Sequence, residues 1–102
     1  MTFRLIGESA AEVDAAAAWF DGRSTGLGRQ FALAFADRMR LIVSRPQMYA
    51  RVNRPPRGRD IRQAPIKRFP FTITYEMLPT EIVVLSVGHH RLKRQPWRRR
   101  RP

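Results

Sequence analysis

Residues 71–87 read FTITYEMLPTEIVVLSV, and the architecture of the chain turns on this stretch. Phe71, Ile73 and Tyr75 alternate with Thr72, Thr74 and Glu76, so one face is apolar and the other polar, the period of a half-buried strand. Leu78-Pro79-Thr80 makes a turn. Ile82–Val87 is apolar almost throughout, which predicts a central strand covered on both faces. Gly88 ends it. Upstream, Asp60–Ile66 (DIRQAPI) is a third strand, and Pro65 within it demands an edge position or a bulge. Thr2–Ile6 (TFRLI) is a fourth, short strand.

Between the first and second strands lie two helical patterns. Ala10–Asp21 is alanine-rich, with Val13, Ala16, Ala17 and Phe20 on one face. Ser9 followed by Glu12 has the spacing of a capping box, and Gly22 is the expected end. Leu27–Ser44 places Leu27, Phe31, Ala34, Phe35, Arg38 and Ile42 near one stripe, with Leu41 beside it, and Pro46 stops it. The short link Gly22–Gly26 implies an antiparallel hairpin. Gln47–Arg59 is Pro-, Arg- and Gly-rich and reads as a loop. The order is β-α-α-β-β-β: an α+β fold, with an N-terminal helical hairpin packed on a mostly antiparallel four-stranded sheet. Its 102 residues suit one domain, 1–102, with a basic tail from about residue 92.

Charge divides the chain. Residues 1–44 carry five Lys/Arg and five Asp/Glu; residues 45–102 carry fifteen Lys/Arg and three Asp/Glu, so the entire net charge of +12 lies in the second part. Such a division points to one element built for packing and another built to meet a negative partner. With 43% hydrophobic residues the chain is expected to fold rather than remain disordered. It has no cysteine, which removes disulfides, thiolate catalysis and Cys-based zinc sites and fits the cytoplasm. No stretch has the length of a membrane span and no signal peptide is evident, so no membrane role is expected.

Three stretches have the residues for chemistry. Gly88-His89-His90-Arg91 follows the central strand, and a histidine pair beside arginine supplies a general base, a general acid and a phosphate clamp, the parts of metal-free RNA cleavage. The same histidines also serve as ordinary polar residues at a strand end. Neighbours on a strand face opposite ways and no third ligand is evident, so neither a metal nor a cofactor is expected. Arg57, Arg59, Arg62, Lys67 and Arg68 flank the Asp60–Ile66 strand. By alternation Arg62 projects away from the core, and the set binds phosphate or simply protects an edge. The tail holds Lys93, Arg94, Trp97 and Arg98–Arg101. Trp97 pins the segment to the body or stacks on a base, and pinning is the simpler role. The terminal arginines are expected to stay mobile until a partner orders them. Trp19, next to the core candidate Phe20, belongs at an edge or under the tail.

The order and spacing of AEVDAAAAWF (11–20), GLGRQFALAF (26–35), RDIRQAPIKRFPFTITYEM (59–77) and IVVLSVGHHR (82–91), with Trp97 beyond, resemble the RelE/ParE superfamily of toxins from type II toxin–antitoxin systems. The resemblance implies this same fold and an acidic, partly disordered antitoxin that folds over the basic surface. One branch of the family cuts messenger RNA in the ribosome. It uses sheet cations, an arginine early in the third strand, and an arginine with a tyrosine or histidine near the C-terminus. Lys67, Arg68, His89, His90 and Arg91 stand in for some of these; Thr72 occupies the place of the early arginine and no tyrosine follows Gly88. The other branch, ParE-like and including plasmid-stabilisation proteins, poisons DNA gyrase without a catalytic constellation. IRQAPIKRFPF and the strand-end HHR place the chain closer to that branch. On either branch the antitoxin and the target meet the basic set, including Lys93, Arg94 and Trp97. A small basic nucleic-acid-binding module is the reading outside the family, supported by charge alone; the strands lack the exposed aromatic pair of an RNA-recognition sheet.

Overall fold

The computed structural model describes residues 1–91 and 94–102. Its elements are β1 (Thr2–Leu5), α1 (Gly7–Arg23), α2 (Leu27–Ser44), β2 (Ile61–Pro65), β3 (Phe71–Met77) and β4 (Glu81–His89), followed by a 3-10 turn at Pro96–Arg99. The strands form one sheet in the order β1-β4-β3-β2. β3 pairs antiparallel with β2 on one side and β4 on the other, and β1 runs parallel to β4. This is the expected α+β arrangement, with the apolar strand in the interior of the sheet and the proline-bearing strand at its edge. The α1–α2 link turns at Gly26, whose φ of 89° is in the left-handed region that favours glycine.

The two faces of the sheet bury different sets. The helical hairpin covers one face, where Phe20, Phe31, Phe35, Met39 and Ile42 pack on Ile73, Tyr75, Ile82, Val84 and Val87. On the other face Ile6, Ile61, Val83, Leu85 and Trp97 form a smaller cluster. The registers Tyr75↔Val84 and Thr74↔Ser86 leave Leu85 without a partner, a bulge that puts Ser86 opposite Thr74 and returns Val87 to the helix-side core.

The capping box does not form. α1 begins three residues before the expected Ala10, with Ile6 at its N-cap and no side-chain cap. The cause lies in the sheet. β1 stops at Leu5, so the edge of β4 beyond Val84 has no backbone neighbour, and each unpaired buried group would cost about 1–3 kcal/mol. Ser9 Oγ donates to Val84 O at 2.7 Å, and Glu12 Oε1 accepts from Val87 N–H at 2.9 Å. Arg100 completes the edge, donating to Leu85 O at 2.9 Å and to both Glu12 oxygens at 2.9 and 3.1 Å. The tail expected to be mobile is therefore held as far as Arg100. Long-range backbone satisfaction overrides both the local helix-start signal and the solvation of a charge run. α1 also runs one residue past Gly22, to Arg23.

Tyr75 is buried and donates to Pro46 O at 2.6 Å, tying β3 to the loop after α2. Burial pushes its phenol up from 10.0 to about 12, against the opposing pull of Arg62. The folded state thus favours the neutral phenol. Its contribution is complete below pH 10 and is lost as pH rises through about 12, a fall of about 2–3 kcal/mol. Urea midpoints of the parent are expected to drop across that window. Tyr75→Phe should start lower, by the roughly 1 kcal/mol of one hydrogen bond, and show a flatter slope.

Candidate functional site

The strand-end histidines have different neighbours. Phe71 packs against the helix-side core, and the His89 ring lies against it with centroids 5.5 Å apart. His90 follows the end of β4, and its Nδ1 lies 2.7 Å from Thr72 Oγ1. Arg91 is exposed, and its backbone N–H donates to His89 Nδ1 at 3.0 Å. Of the three residues expected as a catalytic unit, His89 and His90 both border one groove on the outer face of the sheet, and Arg91 does not line it.

The basic set also divides. Arg59 forks onto both carboxylate oxygens of Glu76 at 3.0 and 3.1 Å and donates to Arg100 O at 2.8 Å. Arg62 does not project away from the protein. Its side chain is 11% exposed, ion-paired with Asp60, and donates to Tyr49 O at 2.8 Å and Gln47 O at 3.0 Å. Arg62 satisfies acceptors of the irregular segment 45–60, and Arg59 a carboxylate of β3 and a carbonyl of the tail, so both guanidinium groups are engaged within the protein. Trp97 is 3% exposed in the smaller core, so it pins the tail and is unavailable for stacking. Arg98 lies over its ring at 4.5 Å and donates to Asn53 O and Arg54 O. Arg57, Lys67, Arg68 and Arg94 are exposed. Lys93 lies outside the described residues. Trp19 is at an edge but not under the tail: it is 56% exposed, with the Arg23 guanidinium 4.4 Å above it.

Two grooves collect what remains accessible. The first, about 240 Å³, opens on the outer face of the sheet between β2–β4 and the tail. Gln63, Thr72, Thr74, Ser86, His89, His90 and Arg94 are among the residues that line it, and Gln63 donates to Thr74 Oγ1 at 3.1 Å. Of these, Gln63, Thr74 and Ser86 escape the sequence reading of the site. Thr72 and Thr74 carry a visible signal, the polar half of the β3 alternation. Ser86 enters through the bulge, which alternation does not reveal. Chemically this is a hydrogen-bonding trough bordered by two histidines and one arginine. The second groove, about 400 Å³, runs between α2 and the β2–β3 turn and contains Lys67 and Arg68. Among the described residues no three His, Asp or Glu side chains converge as a metal site would require. No helix of the described residues is long and apolar enough to cross a membrane.

No family model matches the chain, and no curated protein matches it in sequence. Among solved structures, one described as "Chromosomal ParDE TA system from P. aeruginosa" superposes with a TM-score of 0.63 over 87% of this chain and 95% of that one, at 18% identity. At that identity the likeness is one of fold. The helical hairpin on a four-stranded sheet is thus a fold shared with a chain of that structure.

Proposed function

We propose that the chain is the toxin of a type II toxin–antitoxin pair, acting in the cytoplasm, arresting growth by ParE-like binding to DNA gyrase and neutralised by an acidic antitoxin. The toxin class is supported by the shared fold together with the concentration of charge in residues 45–102. The choice of a binding mechanism over RNA cleavage is supported by one observation, the separate engagement of the two imidazoles, His89 against the Phe71 ring and His90 on Thr72 Oγ1. A general acid and a general base must both come within about 3 Å of groups on a single scissile phosphate diester. Here each imidazole is engaged by a neighbour of its own, which favours binding over cleavage.

The outer groove supports a second reading, a ribosome-dependent endoribonuclease, because it sets His90 and Arg94 beside the Thr74 and Ser86 hydroxyls. The two readings part on a double substitution. His89→Ala/His90→Ala is expected to leave growth arrest, and inhibition of gyrase supercoiling by the purified chain, within about threefold of the parent. General acid–base groups contribute 10²–10⁴-fold where they operate. A loss of arrest on that scale, with messenger RNA cleaved by the parent and supercoiling intact, would establish the nuclease instead.

A further inference from the structure

We propose that the groove between α2 and the β2–β3 turn is the docking site for an acidic amphipathic helix of the partner protein, with Arg38 as a specificity-determining contact. The partner's existence rests on the toxin–antitoxin reading; its place and chemistry rest on the groove.

α2 buries one stripe through Phe31, Phe35, Met39 and Ile42. The remaining circumference of such a helix is ordinarily polar. Here Leu33 and Leu41 stand outside the stripe, 53% and 49% exposed. They are eight residues apart, about two turns or roughly 12 Å along the axis. With Ala34 and Phe69 they supply the apolar surface of the groove. That length matches anchors at i, i+4 and i+7 of a helix laid alongside.

The rim is cationic. Arg38, Lys67 and Arg68 line it, and the one acid among the lining residues, Asp37, is already paired with Arg40. Arg68 is held at φ 73°, uncommon for a residue with a side chain and a form of strain that gathers at binding sites. Arg38 is unfinished. Its Nη1 donates to Tyr49 Oη at 2.6 Å and its guanidinium lies 5.7 Å from the Tyr49 ring centroid, so the side chain is already positioned. Its Nε is buried without a hydrogen-bond partner, and among the described residues no carboxylate pairs with it. A half-buried guanidinium with an unsatisfied Nε and no acid beside it has hydrogen-bonding capacity to spare, which a partner carboxylate arriving from the groove would use. Leucines alone would suit many partners. Leucines rimmed by three cations on a chain of net charge +12 select an acidic one.

The test uses the purified full chain and the purified product of the reading frame adjoining its own, with affinity measured by calorimetry across salt. Leu33→Glu/Leu41→Glu is expected to weaken Kd at least 100-fold. Arg38→Met should weaken it at least tenfold and flatten its salt dependence. Arg29→Gln, which removes a charge from α2 outside the groove, should stay within threefold. Circular dichroism and Tm confirm folding, and Leu33→Ser, at an exposed position, replaces the double variant if that one fails to fold. An unchanged Kd in folded groove variants overturns the groove while the toxin reading stands, provided the parent still arrests growth and is rescued. A parent that neither binds this product nor arrests growth overturns both. Conversion of a self-associated parent to monomer by the leucine substitutions would assign the groove to a second copy and overturn the acidic partner.

Discussion

Replacing Trp97 with alanine is expected to destabilise the chain by about 3–5 kcal/mol, the range for truncating a large buried aromatic. At roughly 4–8 °C per kcal/mol for a domain of this size, Tm should fall by at least about 12 °C. The indole fills the smaller core with Ile6, Ile61, Val83 and Leu85, with Val52 and Leu78 packed beside it. Its loss also loosens the residues C-terminal to it. Arg98 ties the tail to Asn53 and Arg54, and Arg100 satisfies Leu85 O and Glu12 at the unpaired edge of β4. Arg59, in turn, uses Arg100 O while paired with the buried Glu76. Freeing the tail therefore exposes backbone groups on β4 and removes a partner from a buried ion pair, where losses are larger than at the surface. Two measurements check this. Urea unfolding gives the loss of stability, and limited trypsin digestion reads the tail directly, since cleavage at Arg98–Arg101 should quicken before the body opens. A Trp97→Ala protein that lost under 1 kcal/mol would show the tail to be surface decoration.

The sheet and the hairpin were legible because their signals are local and repeated. Alternation over Phe71–Glu76 and the apolar run at Ile82–Val87 report sheet faces directly, and Pro46 with the α2 stripe gives both ends of that helix. Ser9 and Glu12 were misread because the same two residue types serve two purposes. A capping box and an edge repair both need a hydroxyl and a carboxylate near a helix start. What separates them is where β1 ends relative to β4, which depends on residues about 75 positions away. The basic half misled in a related way. Arg59, Arg62, Arg98 and Arg100 count toward net charge, yet their forks are spent on internal carbonyls and carboxylates. Arginine serves irregular segments well because one side chain satisfies several acceptors. Charge along a sequence does not distinguish that use from partner binding; geometry does. The Arg38 groove was hidden for the opposite reason. Its cations come from α2 and from the β2–β3 turn, and only the packing of helix on sheet brings them to one rim.

Gly28→Ala is expected to cost roughly 2–3 kcal/mol, although local preference predicts a gain. Within a helix, alanine is favoured over glycine by about 1 kcal/mol. Gly28, however, is where the hairpin's two helices come closest. A Cβ built there would lie 2.3 Å from Ala17 O and 3.0 Å from Asp21 Cβ. The first of these atoms is main chain in the middle of α1, so it cannot rotate away. The helices must separate by roughly 1 Å to restore normal contact, and cores resist such overpacking at about 1–3 kcal/mol or more. Separation also strains the cap that Asp21 provides, which accepts from Gly26 N–H at 2.9 Å and Gly28 N–H at 3.3 Å. The measurement is the urea midpoint, which should fall at unchanged m if the denatured state is unaffected. The same displacement would move α2, and with it Leu33, Arg38 and Leu41 relative to the turn bearing Lys67 and Arg68. Partner affinity should then weaken in Gly28→Ala even under conditions where the protein is fully folded. A raised midpoint would mean that propensity outweighs the contact, so that the hairpin tolerates a wider crossing. A lowered midpoint with intact affinity would mean that the helices part by moving α1 alone, leaving α2 in place on the sheet.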